Sequence, residues 1–252
     1  MQQPVKYFSK RLNSTNLYAS ELLLKPHRKE AFWVRTDDQF SGRGQGSKTW
    51  SSEPGLNLTG SMVVFPEKFN ASSQFILSKT FALAAADFLE LFIEEVKIKW
   101  PNDLYVGDRK IGGILIETAI LGKYIESAIL GIGININQVN FSKNIPNPVS
   151  LRGLTDMDYD LTELEDLLIT SFKNKYVLLE SGDYDEINSE YLSKLYRFGE
   201  FTEFKTRDKI ISARIISVSE FGHLIIQTDT GTLMTFDYQE IEYLLPPNLL
   251  TS

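Results

Sequence analysis

The sequence predicts an α+β protein, with a mixed sheet flanked by helices and a small C-terminal SH3-like β-barrel. An almost unbroken apolar run over residues 125–136 is typical of a central strand buried on both faces. Two amphipathic patterns, residues 74–95 and 161–179, predict flanking helices. Towards the C-terminus the pattern changes to short alternating strands, which favours a small barrel. We expect a first domain over residues 1–197 and a second over residues 198–252.

The overall composition excludes several classes of protein. A formal net charge of −7 argues against a broad nucleic-acid-binding face. The absence of cysteine excludes disulfides, thiol catalysis and thiolate metal sites, and it fits a reducing compartment. The chain has no apolar core of signal-peptide length near its start and no run of about 18 apolar residues. We expect a cytoplasmic protein without a membrane or nucleic-acid partner.

The first part of the chain predicts three strands and a helix. They are expected at residues 5–8, 17–24 (the helix), 32–35 and 61–65. Ser14 or Asn13 is expected to cap the helix by accepting a hydrogen bond from a free backbone N–H. Taken alone, Ser14-Thr15-Asn16 therefore indicates a helix cap and nothing more.

A glycine-rich segment, residues 39–50, joins the second and third strands. It holds three glycines within five residues, and Arg43 and Lys48 add positive charge. Such a loop can fold over phosphates with its backbone N–H groups and its fixed charges. It lacks the Gly-Lys-Ser/Thr ending of a P-loop. A flexible exposed linker explains the glycines equally well.

The candidate chemistry is concentrated between residues 96 and 118. Alternating apolar residues and lysines predict a half-buried strand over residues 96–100, which a proline ends. Asn102-Asp103 follows the strand end, a position where loops carry chemistry on a rigid support. Gly107-Asp108 predicts a hairpin turn before a return strand from Lys110 to Thr118. Gly112-Gly113 weakens that strand, which suggests that a ligand approaches the backbone there.

The remaining elements follow the same patterns. The helix over residues 74–95 has one apolar face, formed by Phe81, Ala85, Phe88, Leu89 and Phe92. Asn135, at the end of the central strand, must brace a loop or face a polar ligand, because a buried amide needs partners. Residues 140–154 predict a loop, and Asp160 or Thr162 is expected to cap the next helix. An acidic helix over residues 184–195 and short strands at 201–204, 210–218, 223–228 and 233–236 complete the prediction.

Five motifs follow one another along the chain. They are Ser14-Thr15-Asn16, Gly42-Arg43-Gly44-Gln45 followed by Trp50, Lys99-Trp100-Pro101-Asn102-Asp103, Lys110 with Gly112-Gly113-Ile114-Leu115, and Gly131-Ile132-Gly133-Ile134-Asn135. In this order they resemble the biotin–protein ligases, in the short form without an N-terminal DNA-binding domain. The resemblance covers essentially the whole chain. It implies a class II synthetase-like catalytic domain, as in biotin and lipoate ligases, followed by an SH3-like barrel.

The resemblance implies a two-step, ATP-dependent reaction that forms a C–N bond. The biotin carboxylate attacks the α-phosphate of ATP, which gives biotinyl-5′-AMP and pyrophosphate. A lysine amine of a biotin carboxyl carrier domain, in acetyl-CoA carboxylase or a related carboxylase, then attacks the acyl-adenylate. Because two anions must meet in the first step, the site needs concentrated positive charge near the α-phosphate. The implied metal is Mg²⁺, which prefers carboxylate and phosphate oxygens.

The resemblance also implies roles for individual residues. The expected biotin contacts are Ser14, Thr15, Asn16, Gln39, Arg43, Gly44, Gln45, Lys110, Gly112, Gly113 and Leu115. The expected ATP contacts are Arg43, Gln45, Lys48, Trp50, Asn102, Asp103 and Asn135. The expected catalytic cations are Arg43, Lys110 and Lys99, with Asp103 as the ligand of Mg²⁺.

The sequence departs from the family pattern at the glycine-rich segment. Gln45 stands where many members have a second arginine, and Lys48 brings a point charge instead of a bidentate fork. Some members also carry an N-terminal winged helix and act as repressors. Because Ser14 lies too near the start for one, no DNA binding is expected. Exposed sheet edges can pair two chains, so we expect a monomer or a homodimer.

Two other functions are compatible with parts of this pattern. A lipoate or octanoyl ligase or transferase has a similar fold, but the Trp-Pro-Asn-Asp run and the C-terminal barrel favour biotin. A non-catalytic biotin-binding module needs none of the charges of Arg43, Lys99, Asp103 and Lys110, so their joint presence favours an enzyme.

Overall fold

The architecture is that of a computed structural model, which describes residues 1–25, 29–143 and 145–244. The strands before the C-terminal region are β1 Val5–Leu12, β2 Phe32–Gln39, β3 Gly42–Arg43, β4 Thr49–Trp50, β5 Asn57–Val64, β6 Val96–Lys99, β7 Asp103–Val106, β8 Arg109–Leu121 and β9 Tyr124–Asn135. The helices are α1 Thr15–Leu23, α2 Phe75–Leu89, α3 Leu151–Thr155, α4 Leu161–Ser181 and α5 Tyr184–Lys194. The C-terminal strands are β10 Phe201–Thr206, β11 Ile210–Val218, β12 Leu224–Thr228, β13 Leu233–Phe236 and β14 Ile241–Tyr243.

Seven strands form one mixed sheet in the order β1-β2-β5-β9-β8-β7-β6. Only β1 and β2 run parallel, and the other neighbours are antiparallel. The apolar run predicted as a central strand is β9, which occupies the middle of the sheet and is buried from Ser127 onwards. The mixed sheet and its central strand are thus as the sequence predicts.

Helices α2 and α4 pack against each other and bury the stripes that the sequence predicts. Phe81 and Phe172 meet edge to face, with ring centroids 5.0 Å apart. The prediction that the first of these helices continues to residue 95 is wrong, because α2 ends at Leu89 and Phe92 packs against the core from the following turn. The loop predicted over residues 140–154 is also interrupted, since α3 begins at Leu151 with Ser150 as its cap.

Capping follows the prediction at α4 and departs from it at α1. Asp160 accepts hydrogen bonds from the backbone N–H groups of Thr162 and Glu163 at the start of α4. Ser14 occupies the N-cap position of α1, but its side chain makes no cap hydrogen bond. The predicted cap contact is therefore absent at Ser14, whereas Asn13, the other residue considered, accepts the backbone N–H of Ser14 with its Oδ1 at 2.6 Å.

The C-terminal region forms a separate sheet of five strands, in the order β13-β12-β11-β10-β14. It contacts the first part of the chain directly, because the indole N–H of Trp100, the residue after β6, donates to the carbonyl oxygen of Gly222 at 2.8 Å. Within the described residues β13 and β14 are sheet edges, so closure into a barrel stays a prediction. The division at residue 198 also stays a prediction, and its last eight residues, 245–252, lie outside the described part of the chain.

Across the described ranges, no helix combines the length and the apolar character that crossing a membrane requires.

Candidate active site

The floor of the candidate site is a glycine-lined face of β5, β8 and β9. Gly113 pairs with Gly133, and Ser61 pairs with Gly131, so these positions are neighbours on one face. A Cβ at Gly131 would lie 2.2 Å from Oδ1 of Asn16, and a Cβ at Gly133 would lie 2.3 Å from the Trp50 ring. The bare backbone therefore forms a groove on which Asn16 and Trp50 rest directly.

A buried polar cluster occupies one end of this groove. Ser14, Thr15 and Asn16 are each only 4% exposed. Ser61 Oγ lies 2.7 Å from Oγ1 of Thr15 and 2.6 Å from Oδ1 of Asn16. The backbone N–H of Thr15, at the first turn of α1, donates to Oε1 of Gln39 at 2.8 Å. The helix start is thus satisfied by a side chain of β2, which ties α1 to the sheet.

The cluster continues to a carboxylate and to the glycine-rich segment. Asn16 Nδ2 donates to Oε2 of Glu117 at 2.8 Å and to the carbonyl oxygen of Leu115 at 3.3 Å. The other carboxylate oxygen of Glu117 lies 2.9 Å from Nη2 of Arg43. One side chain of β8 therefore joins the buried cluster to Arg43 of β3.

A second polar group lies at the other end of the groove. Lys110 Nζ is 2.6 Å from Oδ1 of Asp103, and both atoms lie within 3.5 Å of the position of a Cβ on Gly113. The strand start is held by the loop before α3, because Lys110 N–H donates to the carbonyl oxygen of Asn147 at 2.7 Å. The structure thus pairs Lys110 with Asp103 as a half-buried ion pair, a contact that the sequence does not predict.

Lys99 lies behind this ion pair, between the two sheets. Its Nζ donates to the hydroxyl of Tyr105 at 3.2 Å and lies 5.1 Å from the centroid of the Tyr243 ring of β14. Burial lowers the pKa of Lys99 to about 8, and the nearby charge of Asp103 opposes this shift. The positive charge of Lys110 also lowers the pKa of Lys99, because a like charge nearby disfavours protonation.

Trp50 forms the roof of the groove. Its ring rests on the Gly133 backbone, and Lys110 Nζ lies 5.9 Å from the ring centroid. The indole N–H is buried and has no hydrogen-bond partner in the structure. A buried donor without a partner is costly, and a ligand acceptor in the groove would satisfy it.

A cavity of about 180 Å³ lies between the start of α2 and the face of β8 opposite to the groove. Gln45, Asn102 and Ile114 contribute to its wall, and Phe221 of the C-terminal sheet contributes from the other side. The amide of Asn102 is used internally, because its Nδ2 donates to the carbonyl oxygen of Ile114 at 2.5 Å.

Comparison with known proteins identifies the family. A model of the biotin/lipoate A/B protein ligase family matches residues 8–135, half of the chain. The chain belongs to this ligase family. The biotin–[acetyl-CoA-carboxylase] ligase of Paracoccus denitrificans is 30% identical over 228 residues, which cover 88% of this chain and 93% of that protein. The bifunctional ligase/repressor BirA of Bacillus subtilis is 27% identical over 230 residues, which cover 87% of this chain and 68% of BirA.

Solved structures show the same fold. The biotin protein ligase from Aquifex aeolicus, in complex with biotin and ATP, superposes with a TM-score of 0.76 at 24% identity, over 94% of this chain and 97% of that one. The α+β architecture of this ligase-family chain is therefore confirmed.

The groove of this ligase-family chain brings together many of the predicted site residues. Those that line it or contact its lining are Thr15, Asn16, Gln39, Arg43, Trp50, Asp103, Lys110, Gly113 and Leu115. Ser14 is buried directly before Thr15. Gly44 and Lys48 close the turn of the glycine-rich segment through the hydrogen bond from Gly44 N–H to the Lys48 carbonyl. Lys48 is also near enough to Lys99 to lower its pKa further.

Gly112, an expected biotin contact, and Asn135, an expected ATP contact, contact other parts of the protein in the structure. A Cβ on Gly112 would meet the carbonyl oxygen of Gly133 and the side chain of Leu104, so this glycine faces the core and not the groove. Asn135 is buried, and its amide donates to the carbonyl oxygen of Val149 at 3.1 Å. Of the two roles considered for Asn135, the structure shows the one that braces a loop.

Sequence reasoning missed Ser61 and Glu117. Both are polar residues within strands, and such residues need partners when the strand is buried. Glu117 also lies four residues after Gly113, which places both on the same face of β8. This four-residue spacing is the sequence feature from which the position of Glu117 beside the site could have been predicted.

The described residues also limit the metal site. Within them, no group of three or more histidine, cysteine, aspartate or glutamate side chains is close enough together to hold a metal ion. Asp103 is therefore a single carboxylate beside a cation, which suits an ion whose other ligands are substrate phosphates and water.

Proposed function

We propose that this protein is a biotin–protein ligase that attaches biotin to a lysine of a biotin carboxyl carrier domain through biotinyl-5′-AMP. The observation that carries the proposal is the groove itself. A buried hydrogen-bonding cluster lies at one end and the Lys110–Asp103 pair lies at the other. A ligand with a polar ring and an acidic tail fits this order of chemical groups.

The polar end favours biotin over lipoate or octanoate. A ureido ring has two N–H donors and one carbonyl acceptor, and the cluster of Thr15, Asn16, Gln39 and Ser61 offers both kinds of partner. A dithiolane ring or an alkyl chain makes no comparable hydrogen bonds, so it would cover, without pairing them, those donors and acceptors of the cluster that the internal hydrogen bonds do not use. Leaving each such group unpaired costs about 1–3 kcal/mol.

The cationic end suits adenylate formation. Lys110 would bind the carboxylate of biotin and the α-phosphate of ATP, so that oxygen attacks phosphorus while the bond to the β-phosphate breaks and pyrophosphate leaves. Lys99, which lies behind the Lys110–Asp103 ion pair, adds further positive charge. Asp103 would hold Mg²⁺, which supplies charge neutralisation on the phosphates when it is bound.

The second step consumes the adenylate. A carrier lysine would enter with its amine deprotonated, attack the acyl carbon and displace AMP, and then lose a proton as the amide forms. Trp50 and the glycine-rich segment would keep water from the adenylate until then. The carrier domain is the macromolecular partner of this proposal, while the cytoplasmic location, the absence of a nucleic-acid partner and the monomeric or homodimeric state stay predictions.

The proposal is tested by pyrophosphate release. Purified protein with ATP and Mg²⁺ should release pyrophosphate with biotin and much less with lipoate or octanoate. Release with lipoate only would make the protein a lipoate ligase. If none of the three acids causes pyrophosphate release, the protein is a non-catalytic binding module. Transfer of labelled biotin to a purified carrier domain tests the second step.

The depressed pKa of Lys99 predicts the pH profile of the first step. The protonated ammonium stabilises phosphate charge, and its pKa of about 8 lies below the ordinary value of 10.5, so the charge is lost as pH rises through 8. We expect kcat/KM for ATP, which reports the free enzyme, to fall above pH 8. Lys99→Arg should move this fall to higher pH because a guanidinium stays charged.

A matched control is available on the same strand. Lys97 lies two residues earlier, and its Nζ is 3.4 Å from the carbonyl oxygen of Ser193, outside the groove. Lys97→Arg should keep the wild-type profile. A fall that is unchanged in Lys99→Arg would assign the titration to another group.

A further inference from the structure

The backbone of Lys110 is held by a short segment from outside the sheet. The pairing of β9 with β8 stops at Gly112, so β9 does not reach Lys110. Residues 147–149, which we call the strap, take its place. The N–H of Lys110 donates to the carbonyl oxygen of Asn147 at 2.7 Å, and the carbonyl oxygen of Lys110 accepts the N–H of Val149 at 2.9 Å. Both backbone polar groups of Lys110 are therefore fixed by the strap.

The local sequence explains why the strap can take this position. Pro148 lies between the two bonding residues, opposite Lys110. A proline has no N–H, and none is needed there because Asn147 supplies the acceptor and Val149 supplies the donor. Asn147 has a φ of 47°, in the left-handed region that asparagine enters more often than most residues with a side chain. The sequence Asn-Pro-Val therefore suits a bridge of this kind.

Asn135 fixes the strap from the end of β9. Its buried amide donates to the carbonyl oxygen of Val149 at 3.1 Å. Because the N–H of Val149 is bonded to Lys110, one residue joins the Asn135 side chain to the Lys110 backbone. Just after the strap, the N–H of Arg152 donates to the carbonyl oxygen of Ile136 at 2.8 Å. The C-terminal end of the strap is therefore tied to the end of β9 twice.

The backbone of Lys110 determines where its ammonium lies. The Nζ atom is 2.6 Å from Oδ1 of Asp103 and lies beside Gly113 on the groove face. The strap thus fixes one end of the Lys110 residue, and Asp103 orients the other. A displacement of about 1 Å at a reacting group can lower a rate by about 10²-fold, so the rate of the reaction depends on this support.

We infer that Asn135 is a positioning residue that holds Lys110 in place through Val149 and the strap, and so sets the position of the ammonium at the α-phosphate. The inference rests on the proposed function for the role of Lys110. It gives Asn135 a task different from the ATP contact that the family resemblance implies, because the amide N–H of Asn135 is used within the protein.

The first test is a double-mutant cycle on pyrophosphate release under single-turnover conditions, with biotin, ATP and Mg²⁺. The variants are Asn135→Ala, Lys110→Ala and the double variant. We expect Asn135→Ala to slow release roughly tenfold, a smaller loss than the removal of Lys110 itself causes. Because Asn135 acts through Lys110, the same change made in Lys110→Ala should slow release no further.

The cycle separates positioning from direct nucleotide binding. If Asn135 contacts ATP itself, its tenfold effect will recur in full in the Lys110→Ala background, and that result overturns the inference. Asn137→Ala is the matched control, because the amide of Asn137 bonds both backbone groups of Tyr159 and none of the strap. It should release pyrophosphate within about threefold of the wild-type rate. Thermal unfolding checks that each variant folds.

A second variant strains the strap and leaves Asn135 in place. Valine is unfavourable at the φ of 47° that Asn147 adopts, whereas glycine takes this conformation freely. Asn147→Val should therefore slow pyrophosphate release roughly tenfold, and Asn147→Gly should slow it much less. Lys68→Val is the matched control, because Lys68 has a φ of 51° in an exposed turn between β5 and α2. Equal rates in Asn147→Val and Lys68→Val overturn the inference.

A third measurement does not depend on catalysis. In the ligand-free protein, the backbone N–H groups of Lys110 and Val149 should exchange with solvent deuterium faster in Asn135→Ala than in Asn137→Ala. The N–H of Ile114, which is bonded to the β6–β7 connection, should stay protected in both variants. Unchanged exchange at Lys110 overturns the inference. A wild type that releases no pyrophosphate but shows this difference would overturn the proposed function and keep the hold of Asn135 on Lys110.

Discussion

Replacing Lys110 with alanine should lower the rate of biotinyl-5′-AMP formation by roughly 10²–10³-fold, because one transition-state charge contact contributes about 2.7–4 kcal/mol. The variant also leaves the carboxylate of Asp103 without the ammonium 2.6 Å away. An unpaired negative charge would then face the incoming phosphates and oppose their binding. Pyrophosphate release under single-turnover conditions measures this step directly.

The matched control for Lys110→Ala is Arg109→Ala. Arg109 precedes Lys110 on β8, is exposed, and carries the same charge, so the control changes the net charge equally. We expect it to retain adenylate formation within about twofold, as for an exposed substitution outside the site. Thermal unfolding checks that both variants fold. Wild-type turnover in Lys110→Ala would remove this lysine from the reaction.

Adding a single methyl group at Gly131 should weaken biotin binding by roughly 10²-fold. The new Cβ would lie 2.2 Å from Oδ1 of Asn16, a separation that real Cβ atoms essentially never show. Asn16 must then shift, which breaks its contacts with Ser61 and Glu117. Two lost buried hydrogen bonds cost about 1–3 kcal/mol each, and 1.4 kcal/mol is a factor of ten.

Calorimetric titration with biotin, without ATP, measures the effect of Gly131→Ala on the vitamin end alone. Gly153→Ala is the comparison, because this glycine lies in α3 and its Cβ would meet only Ser150 Oγ, at 3.3 Å. Both variants should unfold cooperatively, although overpacking at Gly131 costs about 1–3 kcal/mol of stability. Biotin affinity at the wild-type level in Gly131→Ala would show that the polar cluster does not bind the ureido ring.

The local elements of this fold could be predicted because they depend on short-range patterns. The apolar period of β9 and the stripe of α4 are properties of neighbouring residues, and so is the Asp160 cap. The same reasoning failed at Ser14, where the side chain makes no cap bond. There Gln39, 24 residues away, accepts the backbone N–H of Thr15 instead.

The site could be located from the sequence but not assembled from it. The order of the motifs implied that Ser14-Thr15-Asn16 and Lys110 share one groove, and the structure places them at its two ends. Gly112 and Gly113 looked equivalent in the sequence, but strand alternation turns only Gly113 towards the groove.

What the sequence determined by itself is most of the longer secondary-structure elements, the family and the chemical groups available for the reaction. Only the tertiary structure decided which of those groups meet. The Asn16–Glu117 hydrogen bond joins residues 101 positions apart, and the Ser61–Asn16 contact joins residues 45 apart. No local pattern encodes such contacts, because they depend on how strands distant in the chain pair in the sheet. The ion pair between Arg43 and Glu117 is a further consequence of how these distant segments meet.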